Sequence, residues 1–285
     1  MSSTLLAVPV TSPDGRVGEA VLLSPSGDVV RPLVLSVHGS GGSPTGAPHA
    51  ALAADLEGRG IPSLRVSTRQ SGDGVNLDAF SDSVRDIEAA FWEAVRRGYR
   101  RIILHGHSLG SAQVAFLAAN LWRPEIAGVI LTGAFADLPF KTRHLLVGDD
   151  QEYRAMAEQA RAAVAEGDPA RILPIPLRWL QGQSTPVSAR HFLSYRDTAS
   201  GVARTVSWIV RIPYPILLVR DEHDPIVSHA EFDQLRGALH DSIAPRVTAL
   251  ELPSPEGSFG HGFVGSGEVL ATTVADWIDT LEKDE

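Results

Sequence analysis

The 285-residue chain is 44% hydrophobic and 21% charged, with a formal net charge of −9 and no cysteine. Its acidity argues against a protein built to grip a phosphate backbone, so no nucleic-acid partner is expected. The missing thiols remove disulfides, thiolate metal sites and a cysteine nucleophile.

The N-terminal MSSTLLAVPV lacks a basic leader and is interrupted by Pro9, so it does not read as a signal peptide. No apolar run is long enough to span a bilayer, and a soluble, cytoplasmic protein without a membrane partner is expected. Residues 4–24 read as strands around the turn Pro13-Asp14-Gly15. A buried strand, Leu33 to Val37, then runs into the glycine-rich HGSGG loop, His38 to Gly42. A helix near 48–58 stops at Gly60-Ile61-Pro62, and SLRVST forms the next strand. From Leu77 to Arg97, the residues Phe80, Val84, Ile87, Phe91 and Val95 recur at helical spacing, and Gly98 closes the segment. The cations Arg96, Arg97, Arg100 and Arg101 suit a helix C-terminus better than a binding patch.

Ile102, Ile103 and Leu104 predict a strand covered on both faces. The helix formers from Ala112 to Ala119 predict the helix after it. A further strand spans Ile126 to Leu131. The alternation then breaks over 138–205, where a helix lies between Asp149-Asp150 and Gly167-Asp168-Pro169. It resumes with the strand Ile216–Val219, a helix near 229–240 and the strand RVTALEL. A final helix has Leu270, Val274, Trp277, Ile278 and Leu281 on its inner face. Strand–helix alternation of this kind implies an α/β fold with a mostly parallel central sheet flanked by helices.

Ser108 sits where the 102–104 strand turns into its helix, inside Gly106-His107-Ser108-Leu109-Gly110. The two glycines let backbones cross closely at such a corner, which is the setting of a G-x-S-x-G nucleophile elbow. Serine needs a base, and the base needs an acid to hold it; in a parallel sheet these groups meet at the carboxyl ends of strands. Three loops at such ends matter. HGSGG suits an oxyanion hole, with the amides of Ser40 and Leu109 as donors, and His38 as support for the loop. DEHDPIV, Asp221 to Val227, offers competing acids, of which Asp224 precedes the inward-turning Pro225-Ile226-Val227. Asp137 is an alternative acid at an earlier strand end. SFGHGF places His261 after the last strand and before the last helix. His107, inside the elbow, is expected to point away from the site. A metal site on Asp221, His223 and Asp224 lacks further ligands, and the glycines at 39, 41 and 42 do not make a dinucleotide motif, so no metal or cofactor is expected.

These four pieces, in the order HG loop, GHSLG, Asp224, His261, resemble the α/β-hydrolase superfamily across nearly the whole chain. The resemblance implies Ser108 as nucleophile, His261 as general base, Asp224 as its orienting acid, and Ser40 with Leu109 as oxyanion donors. It also implies a hydrolase core in residues 1–137 and 206–285, with a helical cap at 138–205. PVSARHFLSYRDTAS is loosely similar to lid segments of esterase-type members, siderophore-ester hydrolases among them. STRQSGDG departs from the common R-G-x-G-x-S pattern at its position.

The expected activity is hydrolysis of an ester, thioester or amide of a small molecule through an acyl-enzyme. Acyl transfer or cyclisation by the same residues is the alternative, and a silent binding protein on this fold is a third reading. The sequence fixes no stoichiometry, so a homo-oligomer stays open. The 138–205 segment carries nine Lys and Arg against seven Asp and Glu. With Phe140, Tyr153, Trp179, Phe192 and Tyr195, it is expected to favour a substrate with an apolar acyl part and a polar or anionic remote group, met by Arg143, Arg178 or Arg190.

Overall fold

The structure, a computed structural model, describes residues 3–25, 31–178 and 184–283. β1 (Ser3–Thr11) and β2 (Val17–Pro25) form an antiparallel hairpin whose turn places Gly15 at φ +85°. The chain then alternates through β3 (Leu33–Val37), α1 (His49–Glu57), β4 (Ser63–Val66), α2 (Phe80–Arg96), β5 (Ile102–His107), α3 (Leu109–Asn120) and β6 (Ile126–Thr132). Residues 138–205 follow as mostly helical pieces: α4 (Leu138–Lys141), α5 (Asp150–Ala165), the short pair β7 (Leu177–Arg178) and β8 (Ser184–Thr185), and α6 (Ala189–His191). π-Helical turns extend α4 over Thr142–Val147 and α6 over Phe192–Arg196. The chain closes with α7 (Thr205–Ile209), β9 (Ile216–Asp221), α8 (His229–Ala238), β10 (Val247–Leu252) and α9 (Gly267–Lys283).

The eight-stranded sheet runs β1-β2-β4-β3-β5-β6-β9-β10. Only the pairings of β2 with β1 and with β4 are antiparallel; from β4 to β10 the sheet is parallel. β3, β5 and β9 are buried at every position, as strands covered on both faces must be. One apolar layer packs the sheet against α2, α3 and α8, through residues such as Phe80, Ile87, Phe91 and Phe232. The other packs it against α1 and α9, where all five expected inner-face residues of the last helix are buried. A third, smaller cluster lies within 138–205, around Tyr153, Met156, Ala160, Leu173 and Phe192. Among the described residues, no helix is long and apolar enough to cross a membrane.

α2 begins at Phe80 instead of Leu77. The carbonyls that would start the helix earlier are engaged elsewhere: Leu77 O accepts from Ser188 Oγ at 2.6 Å and Arg190 Nε at 2.9 Å, and Asp78 O accepts from His191 Nδ1 at 3.2 Å. Asp82 then closes the new N-terminus by accepting from the Ala79 amide at 3.2 Å. Arg96 and Arg97 both pair with Glu93, Arg101 lies 3.9 Å from Glu282, and Arg100 donates to Val95 O at the end of α2, so the arginine run serves the fold.

Candidate active site

The β5–α3 corner holds Ser108 at φ +54°, ψ −119°, a left-handed backbone that a side-chain-bearing residue adopts only under constraint. The constraint comes from close crossing. A Cβ on Gly110 would stand 2.5 Å from Val37 O, and one on Gly106 would collide with the Gly110 carbonyl. The Ser108 amide is tied to Thr132 O at 2.9 Å on β6. The hydroxyl is thereby lifted to the carboxyl end of the sheet.

There it meets two other loops. Ser108 Oγ lies 2.9 Å from His261 Nε2, and His261 Nδ1 lies 2.9 Å and 3.1 Å from the two Asp224 oxygens. A carboxylate only accepts, so Nδ1 carries the proton and a neutral ring leaves Nε2 free to accept from the Ser108 hydroxyl. Asp224 is buried, and its Oδ1 also accepts from the Ile226 and Val227 amides at 2.8 Å and 2.9 Å. Asp137 has other work: it caps α4 through the Phe140 amide at 2.8 Å and pairs with Arg204 at 2.6 Å.

The HGSGG loop lies against the serine. A Cβ on Gly39 would be 2.9 Å from Ser108 Cβ, so only glycine fits without displacement. His38 holds this loop. Its Nε2 accepts from the Thr68 amide at 3.1 Å, which leaves Nδ1 protonated to donate to Gly39 O at 2.7 Å. Burial keeps the His38 pKa below its ordinary value, in keeping with that neutral ring. Among the described residues, neither the Ser40 nor the Leu109 amide donates to another group; Leu109 directly follows the serine at the start of α3, and Ser40 follows Gly39 on the loop packed against it. A cleft of about 410 Å³ opens over Ser108 and His261, walled by Ser40, Val75, Ile226 and Phe259. Among the described residues, no Asp, Glu, Lys or Arg lines it.

His107 departs from expectation. The residue borders this cleft and its buried ring packs on His261, with centroids 5.0 Å apart, while Thr132 on the neighbouring strand holds its Nδ1 at 3.2 Å. The 138–205 side chains also differ. Arg143 pairs with Asp150 at 2.5 Å and Arg190 with Asp78 at 2.7 Å. Tyr153, Phe192 and Tyr195 are buried in packing, and Phe140 faces a separate groove beside α8. None of these lines the cleft. The side chain of Arg178 and all of Trp179 lie outside the described residues.

Three further residues support the loops that carry Asp224 and His261. Buried Arg220 donates to Val227 O at 2.9 Å and Asp224 O at 3.3 Å, so it grips the acid loop from β9. Lys141, from α4, reaches Ile226 O on the same loop at 2.5 Å. Asp221 fastens the approach to His261: it accepts from the His223 amide at 2.9 Å, from Ser254 Oγ at 2.6 Å and from Ser266 Oγ. A Cβ on Gly260 would strike its carboxylate, which makes the glycine before His261 a packing requirement. Among the described residues, no group of three or more potential ligands is placed to hold a metal.

Comparison with curated protein sequences finds no significant match. Solved structures match over almost the full chain. Est1E from Butyrivibrio proteoclasticus, determined with ferulic acid bound, is 17% identical with a TM-score of 0.72, covering 97% of this chain and 100% of its own. The alpha/beta hydrolase GrgF from Penicillium sp. sh18 is 17% identical with a TM-score of 0.71, covering 98% and 99%. An esterase from Pyrococcus furiosus is 15% identical with a TM-score of 0.62, covering 99% and 92%. At such identities the likeness is one of fold. The profile of the alpha/beta hydrolase family matches residues 34–267, most of the chain, and the protein belongs to that family.

Proposed function

We propose that the protein is a serine hydrolase that cleaves a carboxylic ester, thioester or amide of a small molecule, with an ester the favoured substrate. The observation that carries this reading is the continuous chain from Ser108 Oγ through His261 to Asp224, at 2.9 Å and 2.9 Å, on a strained elbow beside an open cleft. In the proposed first half-reaction, Ser108 Oγ bonds to the substrate carbonyl carbon and its proton passes to His261 Nε2. The tetrahedral oxyanion accepts from the Ser40 and Leu109 amides. Collapse breaks the bond to the leaving group, which takes the proton from His261. Water then repeats the attack on the acyl-enzyme, with His261 again holding the proton, and the acid departs. Asp224 keeps the Nδ1–H tautomer and stabilises the imidazolium. The esterase names among the structural neighbours, and ferulic acid in Est1E, support an ester substrate. Residues 138–205 are proposed as the cap, on their own apolar cluster and their placement between β6 and β9.

The test combines fluorophosphonate labelling with peptide mass mapping and an acyl-chain series of chromogenic esters. The adduct is expected on Ser108. Ser108→Ala should fold, resist labelling and lose about 10⁶ in kcat, the scale seen when a triad serine is removed. Labelling at another serine, or wild-type turnover by Ser108→Ala, overturns the reading.

A further inference from the structure

We infer that Lys141 is a positioning residue for the Asp224 carboxylate, acting through the single peptide group between Ile226 and Val227. The inference rests on the role given to Asp224 above. Lys141 is only 5% exposed, although its ammonium costs free energy to bury. Its Nζ donates to Ile226 O at 2.5 Å and pairs with Glu231 Oε2 at 2.7 Å. The carbonyl it touches belongs to the same peptide unit as the Val227 amide, and that amide donates to Asp224 Oδ1 at 2.9 Å. One planar peptide therefore has a cation on its oxygen and a carboxylate on its N–H. Both charges polarise it in the same sense, and hydrogen bonds in such a chain strengthen one another. A partner such as Glu231 could have satisfied the ammonium without any contact to the loop. The contact to Ile226 O is what links Lys141 to the acid.

The arrangement also joins three parts of the chain. Lys141 lies on α4, at the start of the 138–205 segment. Glu231 lies on α8, where it accepts from the Ser228 amide at 3.0 Å, at the end of the acid loop. Ile226 itself lines the cleft over Ser108. Holding this peptide fixes the carboxylate and, by the same bond, one wall of the cleft.

The experiment compares Lys141→Met, Lys141→Gln and Lys141→Arg in the full chain, with Asp224→Asn alongside. Each is read by ester kinetics and by the low-field proton resonance of the His261 Nδ1–H···Asp224 bond. Lys141→Met should lose about tenfold or more in kcat with little change in KM, well short of the ~10⁴ that follows loss of an orienting carboxylate. Its low-field resonance should move upfield or broaden. Lys141→Arg, which keeps the cation, should stay nearer to wild type in both. Lys141→Gln can still donate to Ile226 O but carries no charge, so it should resemble Lys141→Met, and it serves if the methionine variant does not fold. Wild-type kcat and an unmoved resonance in either neutral variant overturn the inference, as does an arginine variant as impaired as the methionine one. If Asp224→Asn is inactive while the neutral variants are unaffected, only this inference fails. If Asp224→Asn is fully active, the catalytic reading fails with it.

Discussion

At the scale of single residues, three aspartates separate by what they hold. Asp224 meets His261 Nδ1 at 2.9 Å, Asp137 meets an amide and Arg204, and Asp221 ties loop hydroxyls. Asp224→Asn is therefore expected to cost about 10⁴ in kcat, because an amide at that place can present the wrong donor to the ring and cannot stabilise the imidazolium. Asp137→Asn should change kcat little, and Asp221→Asn should lower Tm before it lowers kcat. A crippled Asp137→Asn enzyme beside an active Asp224→Asn one reverses the assignment. The proposed oxyanion donors are main-chain groups, so they are tested through the backbone. Ser40 Oγ is buried without a hydrogen-bond partner among the described residues, and Ser40→Ala should keep most activity. Ser40→Pro removes the N–H and should cost at least the ~10²–10³ of one lost oxyanion donor. Near-normal kcat in a folded proline variant places the oxyanion hole elsewhere.

At the scale of elements, what was readable in the sequence follows from how local each cause is. The strands around Ile103, Ile130 and Leu218 are apolar runs whose burial needs no partner to be named. Ser108, Asp224 and His261 are announced by short motifs at strand ends. The start of α2 was not readable, because it depends on Leu77 and Asp78 meeting residues more than a hundred positions away. Lys141 and Arg220 were not readable for a related reason: a lone cation in sequence gives no sign that it will close on a loop carbonyl. Residues 138–205 suffer most. Their two-residue strands and π-helical turns lack a periodic signal, and several of their charges pair with residues far away in sequence, Lys141 with Glu231 and Arg190 with Asp78. Arg190 illustrates the consequence. It donates to Leu77 O at 2.9 Å and pairs with Asp78 at 2.7 Å, so it staples this segment to the start of α2. Arg190→Glu sets two carboxylates together there and should lower Tm, while the KM ratio between matched anionic and neutral esters stays as in the wild type. A KM increase confined to the anionic ester would instead restore Arg190 to substrate recognition.

For the whole molecule, the distinctive feature is a buried run of histidines under the cleft. Ser36 Oγ lies 2.8 Å from both His49 Nδ1 and His105 Nδ1, and Thr132 Oγ1 lies 2.9 Å from His105 Nε2 and 3.2 Å from His107 Nδ1. Strand register brings this about, since Ser36 and His105 are partners across β3–β5 and His107 and Thr132 across β5–β6. Burial pushes all three imidazoles below the ordinary value of 6.5, His105 to about 4, and His191 is lowered for the same reason with Arg196 beside it. The sign follows from proton counting. Below about pH 6.5 the unfolded chain takes up protons that the folded chain refuses, so the unfolded state binds more and stability falls as pH falls. The loss runs from near 6.5 down through the folded-state values and then ceases for each group. For His105 the window from 6.5 to about 4 corresponds to about 3 kcal/mol at 1.36 kcal/mol per unit. Against net stabilities of about 5–15 kcal/mol that is a sizeable share, and His49, His107 and His191 act in the same direction. Asp14 and Asp150, held below the carboxylate range by hydrogen bonds from arginines, lose their contributions only at lower pH, so the two residue types act in separate windows. Urea midpoints should therefore be level above about pH 7 and fall steeply between 6.5 and 4, with imidazole proton uptake on unfolding at pH 5.5 seen by calorimetry in buffers of different ionisation enthalpy. A midpoint that holds steady down to pH 4.5 would mean that the buried histidines are already charged in the folded protein, which the neutral hydrogen-bond chain through Ser36 and Thr132 does not accommodate.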